Sequence, residues 1–351
     1  MKKTVALIFG GEGMEREISE LSARNLYSLI DKEKYTVVGI YINENGEWYI
    51  LDSFSEKYIH EKIHAAQNRI PTFPILLNKT SGFLTRDGIM KVDCALPCLH
   101  GDFGEDGTVQ GALTLAHIPY IGQDVYASAL TSDKIYTKLA AEHLGIPTAK
   151  WIADDGTDAE KAKERCADII GYPAFIKPAR SGSSYGAHPV FSSREFDTAY
   201  AEAKKIDTRI LIEQLIPFEY ELECALFDDG TRRIIPGGKI ISGGAFYDYA
   251  SKYTRELSPK TDVKTANFSG AVESAVIKYT DSLANTIGIR HLSRFDFSIT
   301  KNSEIYFNEI NSFPGMTKTS LYPRLVSGIG SGEGDFITLL IEKVCSNDRR
   351  I

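Results

Sequence analysis

Hydrophobic and polar positions over the first forty residues predict a strand, a helix and a second strand. An apolar run at 4–9 ends in a glycine-rich loop at 10–13. Apolar residues then recur with helical spacing over 15–29, and another apolar run follows at 35–41. This order predicts a parallel sheet that binds a ligand at the carboxyl ends of its strands.

The glycine loop only weakly matches a dinucleotide-binding fingerprint. The residues from Gly10 to Gly13 lack the full spacing of three glycines, and no acidic residue closes the second strand. A nicotinamide-dependent oxidoreductase is therefore a remote alternative.

A second loop rich in glycine follows the apolar run at 92–97. It contains His100 together with Glu105 and Asp106. Such a loop at a strand end is typical of a binding site. It is equally compatible with a turn that caps the next helix, and this loop alone does not decide between them.

The middle of the chain predicts a phosphate-binding element. A helix is predicted over 132–144, and a strand over 172–178 carries Lys177 near its end. The small and hydroxyl residues of 180–186 predict a mobile loop whose N–H groups can face phosphate, although it is not a Walker A loop. Lys134 would join Lys177 there, but taken alone Lys134 is better explained as a surface lysine.

The last third predicts strands at 219–227 and 234–241, a helix at 272–287 and a closing helix at 335–344. Between them, residues 243–270 contain few aliphatic side chains. A loop of this length inside a domain is usually a lid or an Ω-loop.

A hairpin over 294–311 predicts the chemistry of the site. In its first strand the apolar Phe295, Phe297 and Ile299 alternate with the polar Arg294, Asp296 and Ser298. In its second strand, the same alternation predicts one face with Ile305, Phe307, Glu309 and Asn311. A turn near Asn302 would set Asp296 beside Glu309 and Asn311. Such an all-oxygen cluster suits Mg²⁺ shared with phosphates. A solvated hairpin face is the alternative.

Composition limits the class of protein. The 351 residues predict two or three domains, and the 43% hydrophobic and 25% charged composition is that of a globular protein. The net charge of −7 argues against nucleic-acid binding. We expect no signal peptide and no membrane span. Five scattered cysteines fit a reducing cytosol; Cys94 and Cys98 are more consistent with buried residues than with half of a metal site.

Several motifs, taken in order, resemble the D-alanine–D-alanine ligase family of the ATP-grasp superfamily. The resemblance covers nearly the whole chain. The motifs are Gly10–Ser19, His100–Gly111, Ser132–Lys134, Lys177–Gly186, Phe246–Tyr253, Arg294–Asp296 and Glu309–Leu321.

This resemblance implies an α/β ATP-grasp fold. An N-terminal parallel α/β domain at 1–122 would precede two α+β subdomains at 123–216 and 217–351 that clamp ATP. The last would contain the lid at 243–270 and the metal site. The family also implies a cytoplasmic homodimer that makes D-alanyl-D-alanine from D-alanine and ATP for peptidoglycan.

The resemblance also implies roles for individual residues. The catalytic residues would be Glu15, Ser183, Tyr253, Arg294 and Gly315, and D-alanine would contact His100, Ser320 and Leu321. ATP would contact Lys134, Lys177, Ser184, Glu213, Leu215, Glu221 and Lys252. Two Mg²⁺ or Mn²⁺ ions would bind Asp296, Glu309 and Asn311.

The chain departs from the family pattern at several positions. The family usually has serine where this chain has Gly13, glutamate at Lys239 and often histidine at Thr319, and Tyr185 replaces a loop valine or leucine. These departures lie on the substrate side. They leave open a D-alanine–D-serine ligase of the vancomycin-resistance type, and more remotely an inactive ATP-grasp binding protein.

Overall fold

The structure, a computed structural model, describes residues 2–51, 69–74, 81–241, 260–262, 269–330, 332 and 334–346. Strands and helices are numbered below over these residues. Lys252 and Tyr253, and with them most of the predicted lid, lie outside the described residues.

The described elements confirm a mixed α/β architecture. The strands are β1 Lys3–Gly10, β2 Tyr35–Ile42, β3 Trp48–Leu51, β4 Arg69–Pro71, β5 Gly82–Thr85, β6 Gly88–Lys91, β7 Cys94–Pro97, β8 Trp151–Asp154, β9 Ala174–Pro178, β10 His188–Val190, β11 Ile210–Gln214, β12 Phe218–Asp228, β13 Arg232–Ile241, β14 Lys260–Asp262, β15 His291–Thr300 and β16 Ile305–Asn311. The helices are α1 Arg16–Leu29, α2 Thr108–Leu115, α3 Val125–Ser132, α4 Lys134–His143, α5 Ala159–Arg165 with a π-helical turn at Cys166–Ile170, α6 Ser193–Ile206, α7 Gly270–Ile287, α8 Leu321–Val326 and α9 Asp335–Ser346.

The first sheet has the order β4-β3-β2-β1-β7. Strands β2 and β7 pair in parallel with β1, as predicted, whereas β3 and β4 extend the edge in antiparallel fashion. The side chains of residues 5–9 are fully buried, because both faces of β1 are covered. Residues over the whole of such a strand must be apolar, which explains the continuous apolar run in the sequence.

The C-terminal helices complete the core of this first sheet. Phe336 and Leu340 of α9 and Tyr322 of α8 pack in one cluster with Val5 and Leu7 of β1. The two ends of the chain therefore share one hydrophobic core.

The second sheet has the order β10-β9-β11-β8 and is antiparallel. Helix α6 covers it, with Phe196 and Tyr200 in the same buried cluster as Ile176 and Ile212. Lys177 and Glu213 lie on neighbouring strands of this sheet, so their side chains reach the same region.

The third sheet has the order β14-β13-β12-β15-β16. Helix α7 packs on it, and so do α3 and α4 through Ala127 and Ala141. The predicted division into 1–122, 123–216 and 217–351 places one of these three sheets in each range. Helices α3 and α4, although within 123–216, contribute to the core of the third sheet.

A β-bulge corrects the predicted face of β16. Asp296 pairs with Glu309, but Phe297 pairs with Phe307, so the register shifts by one residue at Asn308. Phe307 and Ile310 are consequently buried in the core, whereas Asn308 and Glu309 are not. The prediction that Phe307 and Glu309 share a face was wrong, because the extra residue reverses the alternation between them.

Gln123 joins the first sheet to the start of β15. Its buried amide donates to the carbonyl oxygens of Arg290 at 2.8 Å and Leu292 at 2.5 Å, and its Oε1 accepts from the Arg290 N–H. The neighbouring Gly122 N–H donates to Nδ1 of His291 at 3.0 Å. His291 is 8% exposed, and burial, with the nearby Arg290, lowers its pKa to about 4.

Replacement of His291 should change how stability depends on pH. An unfolded histidine titrates near 6.5, so between pH 6.5 and 4 the unfolded chain binds a proton that the folded chain does not. The contribution of His291 is thus complete above about pH 6.5 and lost as the pH falls through about 4, a difference of about 3 kcal/mol. Asparagine tolerates the φ of 62° at this position. We expect the free energy of unfolding in urea to change less between pH 6.5 and 4 in His291→Asn than in wild type. An equal dependence on pH in the two proteins would contradict this.

Candidate active site

Arg294 lies between two carboxylates on the third sheet. Its guanidinium donates two hydrogen bonds of 2.7 Å to Asp296 and lies 3.3 Å from Glu223. Burial opposes the charge of Arg294, but Asp296 and Glu223 outweigh it and raise its pKa well above the usual value. The arginine is therefore permanently charged and fixed in orientation, as an electrostatic catalyst requires. Glu223 is absent from the predicted site, although it continues the alternation of Glu221 on β12.

Glu309 of the hairpin reaches the start of α4. Lys134 Nζ lies 3.2 Å from Glu309 Oε2 and donates to the Ser181 carbonyl at 2.7 Å. Asp133 caps α4 by accepting from the Ile135 N–H, and the Lys134 N–H donates to the Ala179 carbonyl. Lys134 is thus anchored at both ends, so its alternative explanation as a mere surface lysine was wrong.

Two lysines share the carboxylate of Glu213. Lys177 Nζ lies 2.5 Å from one oxygen and Lys138 Nζ lies 2.8 Å from the other. Lys177 also donates to Asn308 Oδ1 at 3.2 Å. Burial opposes the negative charge, but both lysines outweigh it and lower the pKa of Glu213 to about 2. Lys138 is absent from the predicted site, although it follows Lys134 by four residues, one helical turn.

The loop at 180–186 approaches the N-terminus of α1. Ser183 donates a short hydrogen bond to Glu15. A methyl group at Gly182 would lie 2.8 Å from a Glu15 oxygen, and one at Gly101 would lie 2.9 Å from it. Ser183 and Ser184 have φ values of 48° and 60°, a left-handed conformation that is costly for serine and frequent at ligand sites. The glycines thus leave room for the Glu15 carboxylate between two backbone segments.

Glu105 connects the loop after β7 with the segment after β16. It accepts from the N–H of Gly101 at 3.0 Å, the N–H of Phe313 at 3.1 Å and the Ser312 hydroxyl at 3.2 Å. Burial raises the pKa of Glu105, and the nearby His100 opposes that change. Hence this loop is bound to the segment after the hairpin as well as to the helix that follows it, and its role as a binding loop stays a prediction. Glu105 was not among the predicted site residues.

His100 and Gly315 lie on these two connected segments. His100 Nε2 is 3.3 Å from the hydroxyl of Ser22, which accepts a hydrogen bond from the Met316 N–H. Gly315 lies close to Ser320, since a methyl group at Gly315 would be 3.0 Å from Ser320 Oγ. The backbone at 315–316 is therefore held against α1 and against the residue that precedes α8.

Ser320 and Leu321 have different environments. Ser320 Oγ lies 2.7 Å from the Thr317 hydroxyl and accepts from the Thr317 N–H, which fixes the turn before α8. Leu321 is only 7% exposed, and its Cδ1 would lie 3.2 Å from a methyl group at Gly238. Leu321 is therefore a buried apolar side chain that packs against β13 at Gly238.

The other described residues predicted to contact ATP lie on strands of the second and third sheets or directly after them. The Leu215 N–H donates to the Pro173 carbonyl at 3.2 Å. Glu221 pairs with Ser298 of β15, on the same sheet as Arg294. The contact with ATP predicted for Glu213 stays a prediction, and in the structure both of its carboxylate oxygens pair with lysines.

A cavity of about 220 Å³ lies next to this site, at the carboxyl end of β1. Gly10, Gly11, His100 and Asp102 are among its lining residues, with Trp48 and Ala112 on its apolar side. Its position is the one that the strand–glycine loop–helix order predicts for a ligand.

The chemistry of the hairpin fits a hard divalent cation. Asp296 and Glu309 face each other in register, and Asn311 donates to Asp296 at 3.0 Å, so carboxylate and amide groups converge. Their side chains retain partial exposure, 13% for Asp296 and 24% for Glu309. Within the described residues, no group of three or more His, Cys, Asp or Glu side chains is arranged for a metal ion.

The same part of the chain contains no helix long and apolar enough to cross a membrane.

Known proteins resemble this chain over nearly its whole length. Residues 4–123 match the family model described as D-ala D-ala ligase N-terminus, and residues 140–342 match D-ala D-ala ligase C-terminus. A D-alanine–D-alanine ligase of Thermoanaerobacter sp. (strain X514) is 33% identical, covering 98% of this chain and 96% of that protein.

Solved structures show the same likeness. The VanG D-Ala:D-Ser ligase of Enterococcus faecalis has a TM-score of 0.87 at 33% identity and covers 98% of this chain and 100% of its own. The D-alanine–D-alanine ligase of Coxiella burnetii has a TM-score of 0.85 at 28% identity, over 98% of this chain and 94% of its own.

Substitution of Glu213 should be costly to stability. Glu213→Gln leaves two buried lysine charges without their carboxylate, a change that typically costs roughly 3–5 kcal/mol. We expect a correspondingly lower free energy of unfolding in urea at pH 7. Glu202→Gln, which removes an exposed ion pair with Lys205, is the matched control and should leave that value unchanged. Equal stability of the two variants would show that the buried ion pairs contribute little.

Proposed function

Since this chain belongs to the D-alanine–D-alanine ligase family and has its ATP-grasp fold, we propose that it uses ATP to join two D-alanines into D-alanyl-D-alanine for peptidoglycan synthesis. We further propose that it works in the cytoplasm as a homodimer. The observation that carries the activity is the convergence of Lys134 and Lys177 on the hairpin that holds Asp296 and Glu309.

The proposed reaction has two steps. In the first, a carboxylate oxygen of one D-alanine attacks the γ-phosphorus of ATP; the bond between that phosphorus and ADP breaks, and D-alanyl phosphate forms. In the second, the amine of another D-alanine attacks the acyl carbon, phosphate leaves and the amine loses a proton. Two anions must approach in the first step, so fixed cations are required.

The lysines on α4 and β9 suit the first step. Lys134 and Lys177 extend from elements anchored in different sheets and contact consecutive residues of the hairpin strand β16, Glu309 and Asn308 respectively. In this proposal they exchange their carboxylate or amide partners for ATP phosphate oxygens, while the backbone of the loop at Ser183 and Ser184 closes over the phosphates. Glu221 takes the ribose hydroxyls, and Glu213 and the backbone at Leu215 lie toward the adenine.

Divalent metal is part of the proposal. Asp296, Glu309 and Asn311 would hold two Mg²⁺ or Mn²⁺ ions, which neutralise phosphate charge when bound. Arg294 and Lys134 balance the two carboxylates in the structure described here.

Other residues suit the second step. Glu15, with Ser183 and Tyr253, would bind the ammonium of the first D-alanine, with His100 nearby. The Arg294 guanidinium and the Gly315 N–H would stabilise the oxyanion that forms on attack by the amine. Lys252 would help the lid exclude water, which otherwise hydrolyses the acyl phosphate.

The second substrate would contact Ser320 and Leu321. The buried Leu321 gives an apolar wall that suits a methyl group and provides no hydrogen bond for the hydroxyl of D-serine. The likeness to a D-Ala:D-Ser ligase makes D-serine the alternative second substrate. We propose D-alanine because of this wall.

Direct competition between amino acids tests that choice. With equal D-alanine and D-serine, ATP and Mg²⁺, we expect D-Ala-D-Ala as the main product and D-Ala-D-Ser as a minor one, measured by mass spectrometry. A pocket rejects an added hydroxyl only weakly, so the preference should not exceed about a hundredfold. No D-Ala-D-lactate should form near neutral pH. Predominant D-Ala-D-Ser would instead support the alternative.

A conservative change at Glu309 tests the metal site. Glu309→Gln deletes one charge with little change of shape, and we expect turnover to fall by roughly 10²–10³ at low millimolar Mg²⁺, because the transition state loses charge stabilisation. Glu304→Gln in the exposed turn of the same hairpin is the control and should retain activity. Wild-type turnover in Glu309→Gln would remove Glu309 from the proposed metal ligands.

A further inference from the structure

Lys138 is a buried cation that the proposed reaction does not use. Its side chain is 1% exposed, and its Nζ lies 2.8 Å from Glu213 Oε2. Lys138 lies on α4 one helical turn after Lys134, on the side of the helix that faces the second sheet. A lysine is rarely buried this completely without a specific partner, so its charge requires an explanation.

The partner of Lys138 is also the partner of a proposed phosphate ligand. Lys177 Nζ lies 2.5 Å from the other oxygen of Glu213, and both side chains are buried. Lys177 must leave this carboxylate when it turns to the phosphates of ATP. Glu213 stays ionised at neutral pH, since its pKa is about 2. If Lys177 were its only cation, leaving would strand a buried charge, which is strongly unfavourable.

The charges of the lysine–glutamate pairs lead to the same conclusion. Three lysines, at 134, 138 and 177, are paired with two glutamates, at 213 and 309. Among these five side chains one positive charge is in excess, and it is available to an anionic phosphate chain. Without Lys138 the lysines and glutamates would balance, and every release of a lysine would leave a glutamate unpaired.

We propose that Lys138 is a positioning residue: it remains on Glu213 as a fixed counter-ion and so frees Lys177 to bind the phosphate chain of ATP. This deepens the proposed function and depends on its assignment of ATP as co-substrate. Lys138 itself touches no substrate. Its effect should therefore depend on how many phosphates the nucleotide carries.

Nucleotide binding to Lys138→Met tests the proposal. Methionine keeps an unbranched side chain as far as the ε position and removes the charged ammonium group. Equilibrium binding of Mg²⁺-ATP without D-alanine, and of AMP, is measured by calorimetry. We expect ATP affinity to fall at least tenfold and AMP affinity to change less than twofold, because AMP lacks the β- and γ-phosphates. An equal loss for both nucleotides would mean general distortion of the site and would overturn the proposal.

A second substitution distinguishes positioning from packing. In Lys138→Met/Glu213→Gln the carboxylate that retains Lys177 is gone, so the ratio of ATP to AMP affinity should return to within about threefold of wild type. Failure of this rescue would overturn the proposal. If Lys138→Met does not fold, the test rests on the double variant. A ratio of ATP affinity to AMP affinity tenfold below that of wild type in the double variant would then overturn the inference.

Two controls complete the design. Lys138→Arg keeps the charge and should keep the wild-type ratio. Lys163→Met removes a lysine whose partner is Asp197 at the surface and should leave both affinities unchanged. If the wild-type protein bound neither ATP nor AMP, the proposed function itself would fail. If the wild type binds ATP but the Lys138 variants do not behave as expected, only the inference about Lys138 fails.

Discussion

The site depends on the pairing of opposite charges away from bulk water. A single buried charge is strongly unfavourable, whereas paired charges with additional hydrogen bonds are tolerated. Arg294 with Asp296, Lys134 with Glu309 and the two lysines on Glu213 all obey this constraint. The partners come from α4 and from the second and third sheets, so the requirement for pairing also fixes how these elements meet.

In the proposed reaction the same pairs prepare the site for phosphate. Lys134 and Lys177 are held beside the hairpin before nucleotide binds, and charges fixed in advance in this way usually make the largest single contribution to catalysis. Glu309, which holds Lys134, is one of the proposed metal ligands, whereas Glu213, which holds Lys138 and Lys177, is not. In the proposed reaction, binding of nucleotide and metal would be an exchange of partners. Glu105 and Gln123 hold the surrounding loops through hydrogen bonds to distant backbone.

Much of this arrangement could be predicted from the sequence. The alternation around Asp296, the apolar run of β1 and the lysine at the end of β9 each reflect a local rule of burial. The bulge at Asn308 could not be predicted, because no residue there demands it and only the register shows it. Lys138 was missed because four-residue spacing in a helix does not reveal which face is buried. Packing of α9 on the first sheet, over more than 300 residues of sequence, left no local signal.

The central claim is that this site activates a carboxylate by phosphorylation before an amine attacks it. The most direct measurement follows oxygen from D-alanine labelled with ¹⁸O in both carboxylate positions. During turnover with unlabelled ATP, the account predicts that each phosphate released contains one ¹⁸O atom, because the acyl phosphate passes its bridging oxygen to phosphate. Phosphate without ¹⁸O, formed alongside dipeptide or ADP, would contradict the account.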